Sequence, residues 1–359
     1  MPEDMNIKRK KNKENYKMKK RICALLCATA MVVGLLSGCG SSTSTSNETD
    51  TTEAAASAEL TDFNVILDWY PNAIHSFMYV AQEKGYFAEE GLNVEMTAPA
   101  GVSDGLTFPA AGKAEIGFYY MNDATIGFAD EDMDIEVIGA VTQGSLSCMI
   151  ALKENNITSP ADFKGKKVGY SGSESSKQMI VTCAEACGLT ESDFELIDVG
   201  FDIETAITSG TVDVCYGGML NNEVVELQNN GYEIDYWTLS DYGVPEEYEI
   251  ILVANKSAYE ADPDLYEGFL SACKKGFADV QADPEAGLDV LFQHEDAENY
   301  ALDRDVESQS LDILLDLENN SGNEFLSMTA DAWNNNTAWM LSKGLLKNDV
   351  DASAFVKVE

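Results

Sequence analysis

From residue 63 onward, strand-like and helix-like segments alternate, which predicts an α/β fold in two lobes, the second inserted into the first. Three observations carry that reading. Apolar runs of strand length recur, each followed by a helix-forming stretch. The alternation restarts near residue 157 as a second set of the same kind. A late apolar run at 250–254 then returns the chain to the first set, before the sequence turns wholly helical.

Each element has a local reason. Val65-Ile66-Leu67 anchors a first strand at 63–67, and the helix at 75–84 stops at Gly85. A strand at 93–97, a helix at 105–111, a strand at 116–120 and a helix at 123–129 follow. An apolar stretch at 135–142 leads into another at 148–152. Thr158-Ser159-Pro160-Ala161-Asp162 is a helix-start signal, because a side-chain oxygen can cap the first turn and Pro suits it. Strands are expected at 167–170, 195–199 and 212–216, with helices at 178–186, 204–209 and 221–229. The first two of these helices end at Gly188 and Gly210, and Gly217-Gly218 reads as a turn before the third. Helices at 265–283, 286–292, 305–317 and 329–343 close the chain. Crossing strands near 145–153 and 240–252 would then join lobe one (61–147 plus 251–359) to lobe two (148–250). Two crossing strands make a hinge, and hinged lobes close over a ligand in the cleft.

Residues 1–38 read as an address. Met18-Lys19-Lys20-Arg21 is a basic start, and 22–36 is an apolar run of signal-peptide length, short for a membrane span. The run ends in Leu36-Ser37-Gly38-Cys39, which resembles the lipobox of bacterial lipoproteins and implies cleavage before Cys39 and lipid on its thiol. Residues 40–60 are rich in Ser, Thr, Ala and Glu and cannot bury a core, so 39–60 is expected to be a tether. The first 38 residues hold nine Lys/Arg and three Asp/Glu of the chain's 23 and 62, leaving 14 basic residues against 59 acidic. That balance repels nucleic acid and anionic lipid, and an anionic ligand would need a local positive site. Past the leader and besides Cys39, the cysteines at 148, 183, 187, 215 and 273 are odd in number and set among apolar residues, so small core residues are expected rather than disulfides. Cys183 and Cys187 lie four apart with no second pair or nearby His, and no metal is expected.

Leu67-Asp68-Trp69-Tyr70-Pro71-Asn72-Ala73-Ile74-His75 joins a strand end to a helix start, where open α/β sheets hold small ligands. Two aromatics beside polar groups suit a flat, heteroatom-bearing ring. This opening, with Tyr79-Val80-Ala81-Gln82-Glu83-Lys84-Gly85-Tyr86-Phe87, Gly165-Lys166-Lys167-Val168-Gly169-Tyr170, Asp198-Val199-Gly200-Phe201 and Asp241-Tyr242-Gly243-Val244-Pro245, resembles the substrate-binding lipoproteins of ABC transporters. Within them the chain is most similar to the formylaminopyrimidine-binding proteins of thiamine salvage. The resemblance spans roughly residues 63–345. It implies a type II periplasmic-binding-protein-like fold, an aminopyrimidine ligand, no cofactor, a permease and ATPase as partners, lipid anchorage outside the cytoplasm, and a monomer.

The same opening is similar to that of the yeast-type thiamine pyrimidine synthase, an enzyme-like relative that uses a pyridoxal-phosphate lysine, a histidine four residues later and a cysteine-dense iron-binding run. Here those two positions fall on Tyr119 and Asp123, and the cysteine run is missing. Tyrosine cannot form the Schiff base, so a binding protein is expected. Another flat heteroaromatic, such as riboflavin, or a sulfonate remains as alternative cargo.

An aminopyrimidine needs a stacking surface and an in-plane acceptor for its N–H groups. Trp69 and Tyr120 are the candidate plates, with Tyr119 beside them; the alternative for Tyr119 and Tyr120 is alternation, one facing the cleft and the other the core. Glu223 is the candidate acceptor, with Asn222 beside it; a first-turn Glu supporting its helix dipole is the alternative. Asn72 and His75 could reach the formamide or amine. Ser171 and Ser173 lie in a strand-to-helix loop where related proteins make ligand contacts, and Tyr242 completes the implied set.

Overall fold

The computed structural model describes residues 60–358. The expected leader, Cys39 and the tether up to residue 59 lie outside the described residues. Two five-stranded sheets organise what is described. The first contains β1 (Thr61–Ile66), β2 (Leu92–Thr97), β3 (Ile116–Tyr119), β4 (Ile135–Ala140) and β10 (Ile251–Asn255), in the order β2-β1-β3-β10-β4. The second contains β5 (Ser147–Leu152), β6 (Lys167–Tyr170), β7 (Glu195–Asp198), β8 (Val214–Met219) and β9 (Ile234–Trp237), in the order β7-β6-β8-β5-β9. In each, three parallel strands meet an antiparallel partner that sits next to a chain crossing: β10 beside β3, and β5 beside β8.

The central strands are apolar throughout because both of their faces are covered. Ile116, Phe118, Leu252 and Ala254 pack into one core of the first sheet, while Tyr119, Ile251 and Val253 pack into the other. The second sheet repeats the alternation, with Met149 and Ala151 on one side and Cys148 and Ile150 on the other. Cys148, Cys183, Cys215 and Cys273 are buried as free thiols.

Three details depart from the expectations. The crossings are irregular segments at 141–146 and 238–250, broken only by the 3-10 turn Ser240–Tyr242, and are not hinge strands. Backbone bonds from Val141 and Thr142 to Ile250 O join them, and side chains meet several further backbone groups. The Glu249 carboxylate accepts from the backbone N–H groups of Leu146 and Ser147, both at 2.7 Å, and from the Ser147 hydroxyl at 2.6 Å. Ser145 Oγ accepts from the Glu247 N–H at 3.0 Å, and Thr142 Oγ1 from Ile250 N–H at 2.9 Å. Secondly, Gly217-Gly218 is no turn: β8 runs through it to Met219, with Gly217 bulged out between the pairs Cys148–Gly218 and Met149–Tyr216. Gly217 has φ +105°, and a Cβ there would stand 2.6 Å from Ser171 Oγ, so only glycine lets β8 and the 171–173 loop meet. Thirdly, β9 and the helix Lys256–Ala261 have no counterpart in the expected elements. β9 is a four-residue edge strand whose Tyr236 is exposed, so its pattern lacks an apolar run.

Candidate functional site

The carboxyl ends of β1, β3, β6 and β8 converge on one cleft between the sheets, the place where parallel strands of open sheets leave room for ligands. The loop after β1 is built by its own polar residues. Asn72 Oδ1 caps the turn Ala73–His75 by accepting from Ile74 N–H at 2.9 Å, and its Nδ2 donates to Tyr70 O at 3.2 Å. His75 Nδ1 accepts from the Asn72 N–H at 3.2 Å, which places the ring proton on Nε2, 2.9 Å from Asp68 Oδ1. Glu307, from the helix Arg304–Ser321, accepts from Ala73 N–H at 2.7 Å. Loop shape is thereby set from three sides, and Trp69 is held out over the cleft.

The cleft has two connected chambers sharing Asp68, Trp69, Tyr120 and Gly217. The outer one, with about 300 Å³ of empty space, adds Asn72, Asn222, Met219 and Glu223. The inner one, with about 550 Å³, adds Tyr119, Asn122, Asp123, Glu247 and Glu249 together with the serines at 171, 173, 175 and 176. The parts of the chain that carry the two sheets also bond to each other directly. Ser175 Oγ donates to Asp123 Oδ2 at 2.8 Å, and Asn221 Nδ2 donates to Ser310 Oγ at 2.9 Å. Phe201, from the loop after β7, meets Trp69 edge-on with ring centroids 4.4 Å apart. That contact holds the indole and bridges the lobes. Replacing Phe201 with Ala is therefore expected to speed ligand release about three- to tenfold, the weight of one aromatic pair; stopped-flow dissociation measures it.

Five carboxylates line the two chambers, from Asp68, Asp123, Glu223, Glu247 and Glu249, and no Lys, Arg or His is among the lining residues. Burial pushes Glu223 up to about 7, offset in part by the Met219 N–H that donates to Oε2 at 2.7 Å. Burial likewise pushes Asp123 up to about 6, against the hydrogen bonds of Ser175 and Ser173. Glu247 and Glu249 are also raised, first by burial and then by neighbouring carboxylates, Glu249 for Glu247 and Asp68 for Glu249. The Tyr120 phenol is raised by burial and by Asp68, Glu249 and Glu223, so it stays protonated and donates.

Raised carboxyls make the empty protein more stable in mild acid. Glu223, Glu307 and Glu318 all stand near 7, chiefly through burial, so between about pH 4.5 and 7 the folded state holds protons that the unfolded state has lost. Their contribution is complete below about pH 4.5 and disappears as pH rises through 7. Asp162 and Asp193, held low by their capping hydrogen bonds, act below that window. The melting temperature of the ligand-free protein is expected to fall from pH 5 to pH 7.5, and Glu318→Gln should flatten the slope.

Of the residues expected at the site, Trp69, Asn72, Tyr119, Tyr120, Ser171, Ser173, Asn222 and Glu223 line the cleft. Tyr119 and Tyr120 do not divide between cleft and core. Both line the inner chamber, their rings 5.1 Å apart, although most of Tyr119 is packed in the core. His75 and Tyr242 are not among the residues that line the cleft. His75 is fully buried beneath the loop with both nitrogens engaged, so it positions the loop and cannot reach a ligand. Tyr242 packs on the second-sheet core that holds Cys183, Phe163 and Tyr216, and does not itself line the cleft. Asp68, Asn122, Asp123, Glu247 and Glu249 were not expected. Asp68 stood inside the opening motif, and its spacing of seven from His75 was the available signal.

A family model described as NMT1/THI5 like matches residues 72–287. The chain belongs to that family. Among NMT1/THI5-like relatives, a formylaminopyrimidine-binding protein of Halalkalibacterium halodurans is 34% identical over 302 residues, covering 84% of this chain and 91% of that one. A 4-amino-5-hydroxymethyl-2-methylpyrimidine phosphate synthase of Aspergillus parasiticus is 29% identical over 235 residues, 62% of this chain and 68% of that one. The alkanesulfonate-binding protein of Xanthomonas axonopodis pv. citri, solved with MOPS bound, superposes with a TM-score of 0.64 at 11% identity, covering 84% of this chain and all of that one. The fold is that of the ABC-transporter binding proteins.

Proposed function

We propose that this chain is a receptor that captures a thiamine-related aminopyrimidine, formylaminopyrimidine or hydroxymethylpyrimidine, and delivers it to an ABC permease and its ATPase. In this reading it works outside the cytoplasm as a monomer, tethered by lipid on Cys39, and catalyses nothing. Trp69 and Tyr120 sandwich the ring, Glu223 accepts its amino N–H groups, and Asn222 and Asn72 flank its edge. The single observation that carries the reading is the lining itself: aromatic plates and five carboxylates, with no cation. Such a surface favours flat, donor-rich ligands and rejects anions.

The same observation weighs against the other cargoes and the enzyme. A sulfonate would face carboxylates with no positive partner, although a structural neighbour is a sulfonate binder. A pyridoxal-phosphate-dependent synthase would need an amine where Tyr119 stands and a cradle for a phosphate. A thermal-shift panel of formylaminopyrimidine, hydroxymethylpyrimidine, riboflavin, an alkanesulfonate and pyridoxal phosphate tests this. Stabilisation by the aminopyrimidines alone is the expected result. Stabilisation by the sulfonate or by pyridoxal phosphate in their place would overturn the assignment.

A further inference from the structure

We propose that a cavity behind the β1 loop is a second binding site, suited to a small primary amine with an apolar body, an alkyl- or arylammonium. It is separate from the cleft and does not depend on what the cleft holds.

The loop residues Ala73 and Ile74, the crossing residues Val141 and Thr142, Phe325 and the helices Ser76–Glu83, Pro263–Ala282 and Arg304–Ser321 line it. Its empty space is about 390 Å³, against about 300 Å³ in the outer chamber of the cleft, which leaves room for one ring or a short chain. Apart from Ser76, Thr142 and Glu318, every lining residue is apolar.

Glu318 is the group that lacks a partner. It is 8% exposed, it lines the cavity, and its Oε1 is buried with no hydrogen-bond partner among the described residues. An unmet buried carboxyl oxygen costs stability, and a guest that brings a donor recovers it. Two features select a cation over a neutral donor. Of the described residues that line the cavity, Glu318 alone is ionisable, so its negative charge is not balanced there. The lining also holds three phenyl rings: Phe277 stacks on Phe325 with centroids 3.9 Å apart, and Phe77 meets Phe325 edge-on at 5.1 Å. Ring faces attract a cation, and apolar walls attract the body behind it. An ammonium carries three N–H donors, and the hydroxyl oxygens of Ser76 and Thr142 are further acceptors in the same lining. Burial raises Glu318 to about 7, and an ammonium beside it favours the charged form.

The helix Arg304–Ser321 ties this cavity to the cleft. Leu311, Leu314 and Glu318 line the cavity from it, and Glu307, on the same face at helical spacing, accepts from Ala73 N–H. Ile74 lines both spaces. A guest therefore rests against the loop that holds Trp69.

Calorimetric titration at about pH 8, where Glu318 is largely ionised, with benzylamine and its neutral counterpart benzyl alcohol tests this. Benzylamine is expected to bind about tenfold tighter or more than the alcohol, as a charge-assisted contact should, and to shift the methyl resonances of Leu311, Leu314 and Leu315. In Glu318→Gln the ratio of amine to alcohol affinity, read within one preparation, should fall towards one. No binding of benzylamine, or equal affinity for the two compounds in the unaltered protein, overturns the site whether or not the variant folds. Benzylamine that binds Glu318→Gln as tightly as the unaltered protein, or leaves those methyl signals unmoved, sits on acids elsewhere and overturns it equally. An aminopyrimidine that fails to bind the cleft leaves this site standing, so the two readings fail separately.

Discussion

Glu223→Gln is expected to weaken aminopyrimidine binding about 10- to 100-fold with little loss of fold, the effect of removing one charge-assisted hydrogen bond. The side chain is buried at the start of the helix Glu223–Asn229 and lines the outer chamber beside Trp69 and Tyr120. Glutamine keeps an oxygen for the Met219 N–H, so the helix start survives. What it loses is the negative charge, and it presents an amide N–H where the ligand's own N–H must be received. The contrast with an oxo-pyrimidine should narrow in the same variant, because an amide can serve a carbonyl as well as an amine. A mere first-turn Glu stabilising its helix would give the opposite pattern: a lower melting temperature and unchanged affinity. Paired calorimetry and thermal melts separate the two.

Glu249→Ala is expected to cost about 2–5 kcal/mol of stability, because the buried N–H of Leu146 and the partly buried N–H of Ser147 would lose their acceptor at once. Those groups belong to Leu146 and Ser147 at one crossing, while Glu249 belongs to the other, so its carboxylate ties the two crossings together. Glu249→Gln retains an acceptor and should lose much less. Chemical denaturation of the three proteins measures the difference. An alanine variant as stable as the parent would remove Glu249 from the account of the hinge.

All strands but β9 were legible because their residues form short apolar runs with turn signals between them. The loop after β1 was legible as a site because aromatic and polar residues crowd a strand-to-helix junction there. Its chemistry was only half legible. His75 invites a ligand role as a lone imidazole next to aromatics, yet it spends both nitrogens on the loop itself. The acids were harder still. Glu246-Glu247-Tyr248-Glu249 reads as a solvated charge run, and only the pairing of the crossings buries Glu249 and brings Glu247 into the cleft. The Gly217-Gly218 pair suggests a turn, while the bulge that it forms depends on Cys148 and Ser171, both distant in sequence. Tyr242 shares a segment with the family resemblance, but the 3-10 turn that carries it packs that ring on the core behind the cleft wall.

The most direct measurement of the central claim is a calorimetric comparison of an aminopyrimidine with its oxo analogue on the unaltered protein. Saturable binding of the amino compound, at least about tenfold tighter than the oxo compound, is predicted because a carboxylate reads the ring edge between two aromatic plates. Equal affinity for the two, or binding of neither, would contradict it.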